Sequence, residues 1–187
     1  QVGLSNPETQ LGSYPHEFSG GMRQRAMLAI ALAAEPDLLL ADEPTTALDT
    51  TTQARLLERI ETLNEEWGLS VLLITHDIGV IASVCDRVLV MYGGEIVERG
   101  TVGRVLSNPK HPYTRGLLAS MTQRNPPDEQ LPVIEGEVPD LLESPPGCPF
   151  APRCEHAVPA CETGPIPDVP VADDHIATCV EGEQEQF

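Results

Sequence analysis

The chain has 187 residues, with 11 basic side chains against 29 acidic ones and a formal charge of −18. That balance excludes charge-driven, non-specific binding to DNA, RNA or an anionic membrane. An apolar fraction of 41% is enough for a core and excludes wholesale disorder. No apolar run approaches the ~20 residues of a membrane span. No signal peptide is present, and the chain begins at Gln1, so it reads as part of a longer protein.

Charge and proline divide the chain. Residues 1–100 carry 6 basic and 15 acidic side chains, and residues 101–187 carry 5 and 14, the same net −9 in a shorter stretch. Only 4 of the 18 prolines precede residue 101. Regular structure is therefore expected first and loop-rich structure after it. Lys110 is the one lysine. An acid excess of this kind fits a salt-adapted surface as well as an ordinary solvated one. Cys148, Cys154, Cys161 and Cys179 crowd the last 40 residues, whereas Cys85 stands alone and reads as a core residue. In a reducing compartment, clustered cysteines more often bind metal than pair as disulfides.

In chain order, Ser19 precedes a helix over Gly20–Ala34 with Met22, Ala26, Ile30 and Ala33 along one face. Pro36 and Asp37 stop it. Leu38–Ala41 is a short apolar run, as for a buried parallel strand, and ends in Asp42-Glu43-Pro44. A helix over about Thr52–Trp67 follows, with Leu56, Ile60, Leu63 and Trp67 on one stripe and Gly68 as its stop. Val71–Ile74 is a second buried strand, closed by Thr75-His76-Asp77. A short helix covers Ile78–Ser83. Val88–Met91 and Glu95–Glu98 flank Gly93-Gly94 as a hairpin. Strands alternating with helices predict an α/β fold with a parallel sheet. Residues from about Thr122 to Pro146 read as a Pro-rich linker or wrap.

Three segments carry chemistry. Phe18-Ser19-Gly20-Gly21-Met22-Arg23-Gln24-Arg25 places a capping Ser and two glycines at a helix start, where unpaired N–H groups suit a phosphate. A plain N-cap reads the same residues equally well. Asp42 and Glu43 end an apolar strand, as in the Walker B pattern. Asp42 suits a hydrated Mg²⁺ and Glu43 suits an attacking water, but two solvated acids at a strand end would look alike. His76 ends the next strand. Ligands of open α/β sheets bind beyond the carboxyl ends of the strands, which puts His76 on the same edge as the acids. Asp49, taken alone, is a cap for the following helix.

The order Phe-Ser-Gly-Gly, then Asp-Glu-Pro-Thr-Thr-Ala-Leu-Asp, then Ile-Thr-His-Asp resembles the ATP-binding subunit of ABC transporters over about residues 3–100. The resemblance implies a P-loop NTPase-type parallel sheet core, of which this chain holds the C-terminal portion. It makes Ser19, Gly20, Gly21 and Met22 the signature motif, with Met22 where many members have Gln. Asp42 and Glu43 become the Walker B pair, Asp49 part of the D-loop, and His76 the switch histidine. Three further segments look like oligopeptide and dipeptide importer ATPases: Ser13-Tyr14-Pro15-His16-Glu17-Phe18, Asn108-Pro109-Lys110-His111-Pro112-Tyr113-Thr114, and Gly147-Cys148-Pro149-Phe150-Ala151-Pro152-Arg153-Cys154. The implied division is residues 1–100 in the nucleotide-binding domain, 101–145 in a helical extension with a Pro-rich linker, and 146–187 in a loop-rich, cysteine-bearing C-terminal extension. Residues 1–18 would end the helical subdomain.

No Gly-x-x-x-x-Gly-Lys-Ser or -Thr loop occurs in the 187 residues. By the resemblance, ATP and Mg²⁺ are then the cofactors of the whole subunit, and this chain alone is expected to bind ATP poorly. With sheet partners missing, it is expected to expose apolar surface and to be marginally stable. The implied partners are a second ATPase subunit, membrane-spanning permease subunits and, indirectly, a substrate-binding protein, with no nucleic acid. The implied place is the cytoplasmic face of the membrane, and the implied cargo is oligopeptide or dipeptide. Nickel and sugar importers carry similar subunits. The spacing Cys148-x5-Cys154-x6-Cys161-x17-Cys179 lacks the short knuckles of zinc ribbons but suits either a 4Fe–4S cluster or Zn²⁺. The resemblance favours the cluster over Zn²⁺, and disulfides or free thiols are the plain alternative. His175 could stand in for a thiolate in a zinc site, and Arg153 could offset cluster charge. A metal- or redox-sensing module on an ATPase scaffold is the rival function.

Overall fold

A computed structural model describes residues 2–4, 6–46, 48–121, 132–139 and 146–180. Contacts divide the chain into two units, Gln1–Val84 and Cys85–Phe187. The first holds α1 (Pro7–Gln10), α2 (Gly20–Leu32), β1 (Leu38–Asp42), α3 (Thr50–Trp67), β2 (Ser70–Ile74) and α4 (Ile78–Val84).

In this unit β1 and β2 pair in parallel, with Leu38 opposite Ser70 and Asp42 opposite Ile74. α3 makes the crossover that parallel strands require. Asp49 caps it, accepting the Thr52 N–H at 3.0 Å. Gly68 ends it in the left-handed region at φ 66°, where a side chain would be strained. The stripe Leu56, Ile60 and Leu63 packs with Leu28, Leu32, Leu39 and Leu69 into one core. Trp67, expected on that stripe, is 41% exposed, and Leu57 is buried in addition.

Two expectations need correction here. α2 buries Leu28 and Leu32, not Met22, Ala26, Ile30 and Ala33, and Ile30 is 76% exposed. Every residue from Ala26 to Ala34 is apolar, so no polar side chain marks the outward face. The strands are buried on one face only. Leu39 and Ala41 are covered, whereas Leu38, Leu40, Leu72 and Ile74 are exposed. The expected apolar surface is therefore this open face of the two-stranded sheet.

The second unit holds β3 (Arg87–Tyr92), β4 (Glu95–Thr101), α5 (Val102–Ser107), α6 (Pro112–Ala119), β5 (Asp168–Ala172) and β6 (His175–Thr178). β3 and β4 form the predicted hairpin, with Gly93 and Gly94 at φ 57° and 86° in its turn. β4 runs on to Thr101, and its other edge pairs antiparallel with β6, giving the order β3-β4-β6-β5. The hairpin thus shares one sheet with the cysteine-bearing segment, and the units divide at residue 84 rather than at the proline shift near 100. Gly100 allows the close pairing, since a Cβ there would lie 2.6 Å from the Asp174 carbonyl oxygen. β5 and β6 lie where only loop was expected. The Pro-rich linker falls largely outside the described residues. Among those described, no helix is long and apolar enough to cross a membrane.

One polar group stands in the middle of this unit. Glu98 on β4 is fully buried. Its Oε1 accepts the Lys110 N–H at 2.8 Å and lies 2.7 Å from His175 Nε2. Its Oε2 accepts the His111 N–H at 3.0 Å. Glu98→Ala removes the acceptor of the buried His111 N–H and of the half-buried Lys110 N–H, and the partner of the buried His175 ring. The expected loss is on the order of 3–5 kcal/mol in urea denaturation of the chain, with a smaller loss for Glu98→Gln, which keeps one oxygen acceptor.

Candidate functional site

Just past β1, Glu43 adopts φ 46°, in the left-handed region that side chains seldom occupy. Its N–H donates to the Ile74 carbonyl at 2.9 Å, extending the ladder by one residue. This turn directs the carboxylate at the residues that follow β2. Oε1 lies 2.8 Å from His76 Nδ1 and accepts the His76 N–H at 3.2 Å. Oε2 accepts from the Thr46 hydroxyl at 2.8 Å. The hydrogen bond from His76, then that from Thr46, holds the Glu43 carboxyl below its ordinary pKa. The same carboxylate raises His76, first through the hydrogen bond and then through its charge. The His76 side chain is 80% exposed, so this pair forms at the solvent edge. Asp42, the last residue of β1, is exposed beside it.

Two sequence-predicted residues, Glu43 and His76, are therefore in contact. Ser19, Gly20, Gly21 and Met22 start α2, where Ser19 Oγ accepts the Met22 N–H at 3.3 Å. Among the described residues, no hydrogen bond joins these four to Glu43 or His76. Gly21 has a packing reason, because a Cβ there would lie 2.9 Å from Thr52 Cγ2 on α3. Asp49 holds Thr52 through both its N–H and its hydroxyl, at 3.0 and 2.7 Å. Those bonds lower its pKa. The sequence reading missed three supports. Thr46 holds Glu43. Gln24 of α2 donates to the Pro44 carbonyl, tying that helix to the acidic turn. Asp77 accepts the N–H groups of Gly79 and Val80 at 2.8 and 3.3 Å and so anchors the residue after His76. All three lie within the motif segments singled out from the sequence.

The second unit gathers Cys148, Cys154, Cys161 and Cys179 around one cavity of about 10 Å³, together with His111 and His156. None of the five cysteines is joined in a disulfide. Cys161 and Cys179 are buried, and Cys148 and Cys154 are half-buried. The Cys148 N–H donates to the Cys161 carbonyl at 2.8 Å. Gly147 permits this approach, since a Cβ there would lie 2.1 Å from that carbonyl oxygen. Burial raises the Cys148 thiol pKa. His111 is 1% exposed, and burial lowers its pKa to about 4. Among the described residues, no group of three or more His, Cys, Asp or Glu side chains is arranged to hold a metal ion.

Three subsidiary expectations change. His175 does not line the cavity; its Nε2 is at Glu98. Arg153 turns away as well, donating to the carbonyls of Glu135 and Ile134 at 2.8 and 2.7 Å and to the Tyr92 hydroxyl at 3.1 Å. It clamps residues 132–139 instead of facing the thiols. Cys85 is half-buried rather than a core residue, and burial followed by Asp86 raises its pKa.

The family described as oligopeptide/dipeptide transporter, C-terminal region, matches residues 97–161, and the ABC transporter family matches residues 1–46. The dipeptide transport ATP-binding protein DppD of Bacillus subtilis is 48% identical over 95% of this chain and 53% of its own length. The oligopeptide transport ATP-binding protein OppD of the same organism is 51% identical over 93% and 49%. OppD of Haemophilus influenzae is 46% identical over 88% and 51%. Over nearly its whole length the chain is thus similar to ATP-binding proteins of peptide import. It spans about half the length of the curated relatives it matches. A solved dimeric ATP-binding cassette bound to ADP and phosphate is 35% identical, covering 54% of this chain and 42% of its own, with a TM-score of 0.49. The two matched stretches fall one in each unit.

The Glu43–His76 pair has a definite pH signature. Its contribution to stability is complete between the ordinary values of 4.5 for Glu and 6.5 for His. It fades as pH rises through the raised pKa of His76, and as pH falls through the lowered pKa of Glu43. An NMR titration is expected to place His76 above 6.5. Glu43→Gln is expected to return it towards that value, and added salt to shrink the difference between the two.

Proposed function

We propose that this chain supplies the signature motif, hydrolytic carboxylate and switch histidine of an ATPase that drives oligopeptide or dipeptide import. The observation that carries the reading is the contact between Glu43 and His76 at the carboxyl ends of two parallel strands. Glu43, kept ionised by His76 and Thr46, orients an attacking water and accepts its proton. His76, with its other ring nitrogen directed away from Glu43, donates to the γ-phosphate. Ser19, Gly20, Gly21 and Met22 offer the N–H groups at the start of α2 to the nucleotide bound by a second subunit. Asp49, at the cap of α3, takes the D-loop role across that junction. Mg²⁺, held through water by the exposed Asp42, would offset the charge of the phosphates. The partners on this reading are a second ATPase subunit and permease subunits, which keep the protein peripheral at the cytoplasmic face. Nickel or sugar cargo would use the same residues.

We further infer that Cys148, Cys154, Cys161 and Cys179 are ligands of a 4Fe–4S cluster, with Zn²⁺ as the alternative. The support is that four cysteines from separated positions line one cavity. A single tetrahedral ion draws four sulfurs to about 2.3 Å from one point. A cluster takes one thiolate on each iron and spreads its ligands more widely. The cavity must widen to accept it.

In the assembled transporter, Glu43→Gln is expected to lower ATP turnover by at least ~10²-fold while leaving nucleotide binding intact. Turnover at the unaltered rate would refute the assignment of Glu43. For the thiols, iron, acid-labile sulfide and zinc per chain after anaerobic purification decide. About four irons and four sulfides support the cluster, as expected for four single-thiolate positions. One zinc without sulfide makes the site a structural staple.

A further inference from the structure

We propose that the cavity between α2 and α3 binds a small organic polyanion, a compound with two or more carboxylates or phosphates on a carbon framework, through Arg25, Arg55 and Arg59. The proposal goes beyond the ATPase reading, since of the residues given a part in ATP chemistry only Gly21 lines this cavity.

The cavity has a volume of about 310 Å³ and lies within the first unit. Small-molecule clefts span roughly 300–1,000 Å³. Three arginines line it, and no Asp or Glu does. In a chain with 29 acidic and 11 basic side chains, that wall is the opposite of the overall composition. Arg55 and Arg59 stand four residues apart on α3, and like charges at that spacing repel. Arg25 of α2 adds a third charge beside Gly21, where a Cβ would lie 4.0 Å from its Nη2. α3 also carries Glu58, Glu61, Glu65 and Glu66. Among the described residues, however, no ion pair joins an acid to any of the three arginines. The Nε atoms of Arg25 and Arg59 are buried, and among the described residues neither has a hydrogen-bond partner. A guanidinium cannot shed its proton to escape burial. An anionic ligand supplies the acceptors and the opposite charge together.

The ligand class follows from the donors and the remaining wall. A guanidinium fork pairs a carboxylate or phosphate through two parallel N–H···O bonds. Three forks call for more than one anionic group. Gln24 also lines the cavity, but its amide already donates to the Pro44 carbonyl, and the Thr52 hydroxyl donates to Asp49. The arginines are thus the donors left for a ligand. Leu56 is buried, and Val2 and Leu48 pack against the same core, so the rest of the wall offers apolar surface to a carbon framework. The cavity also reaches well away from the acidic turn. Arg59 lies ten residues beyond the Asp49 cap, about 15 Å along α3.

The probes are citrate, a tricarboxylate, and phosphoglycolate, which joins a phosphate to a carboxylate. Each is titrated into the whole protein by calorimetry at low salt, where charge pairing is least screened. The expected result is saturable binding of a probe, one per chain. Arg55→Gln and Arg59→Gln are each expected to weaken it by about tenfold or more. Arg104→Gln removes the same charge from an exposed position on α5, in the other unit, and is expected to leave the affinity unchanged. Tighter binding of citrate assigns a polycarboxylate, and tighter binding of phosphoglycolate a phosphorylated compound; either supports the site. Failure of both probes to saturate at millimolar concentration overturns the proposal, as does an equal loss in Arg104→Gln. Displacement of the probe by Mg²⁺-ATP gives the cavity to the nucleotide and overturns it too. Should Arg59→Gln fail to fold, the ¹⁵Nε–H resonances of Arg25 and Arg59 in the unaltered protein decide. Both must move as the probe binds, and resonances that stay while heat is released place the probe elsewhere and refute the assignment.

Discussion

A carboxylate that reaches no solvent is stable only where donors surround it, and the second unit is organised around meeting that condition for Glu98. The donors come from different places in the chain. Two are backbone N–H groups at Lys110 and His111, just before α6, and the third is the His175 ring on β6. Satisfying one side chain thus fixes the distance of α6 and of β6 from β4. Because β6 is the strand that carries the chain towards Cys179, the same constraint sets where that thiol stands. The exposed ion pairs Arg87–Asp174 and Arg99–Asp168 lie at the rim of the same sheet and add little beside it.

The first unit uses a different device. Its carboxylate, Glu43, is exposed and held by a strained backbone, with His76 and Thr46 as partners. Exposure suits chemistry on a ligand that must enter and leave, as burial suits Glu98's structural work. The parallel register makes the site, since Asp42 faces Ile74, with Glu43 one residue beyond the first strand and His76 two beyond the second. A slip of one position would separate Glu43 from His76 and turn Leu39 out of the core.

Much of this was legible in the residues. The helices and strands from Gly20 to Thr101 follow from apolar spacing, from Ser19 and Asp49 as caps, and from Gly68 and the Gly93-Gly94 pair as turns. Local signals sufficed because each element there is long or sharply ended. The face of α2 was not legible, because a wholly apolar stretch has no polar side to mark it. The one-sided burial of β1 and β2 was not legible either, since a run of leucines looks the same with one covered face or two. β5 was hidden by Pro170, which is tolerated because β5 is the edge strand of its sheet. Val169 and Val171 before Asp173-Asp174, with Ile176 beyond, were the hairpin signal. The Glu43–His76 contact was foreseeable as two ends of neighbouring strands. The hub at Glu98 was not, because its partners lie 12, 13 and 77 residues away.

A Pro-rich segment with little apolar content ordinarily needs a staple, and the four cysteines seem at first suited only to that task; the rest of the unit argues otherwise. Tyr92, Tyr113 and Phe150 already pack ring against ring, at 4.7, 5.2 and 5.5 Å between centroids. Phe150 lies between two of the cysteines in sequence, so this contact pins the cysteine segment to the hairpin and to α6 without any metal. Arg153 fastens the described part of the linker to the same Tyr92. Strand pairing by β6 and the Glu98–His175 contact hold the far end. With the segment anchored at both ends by sheet, aromatic and buried polar contacts, packing alone accounts for its fold, so a group bound by the cysteines, on the reading proposed above, would serve some end other than folding the segment.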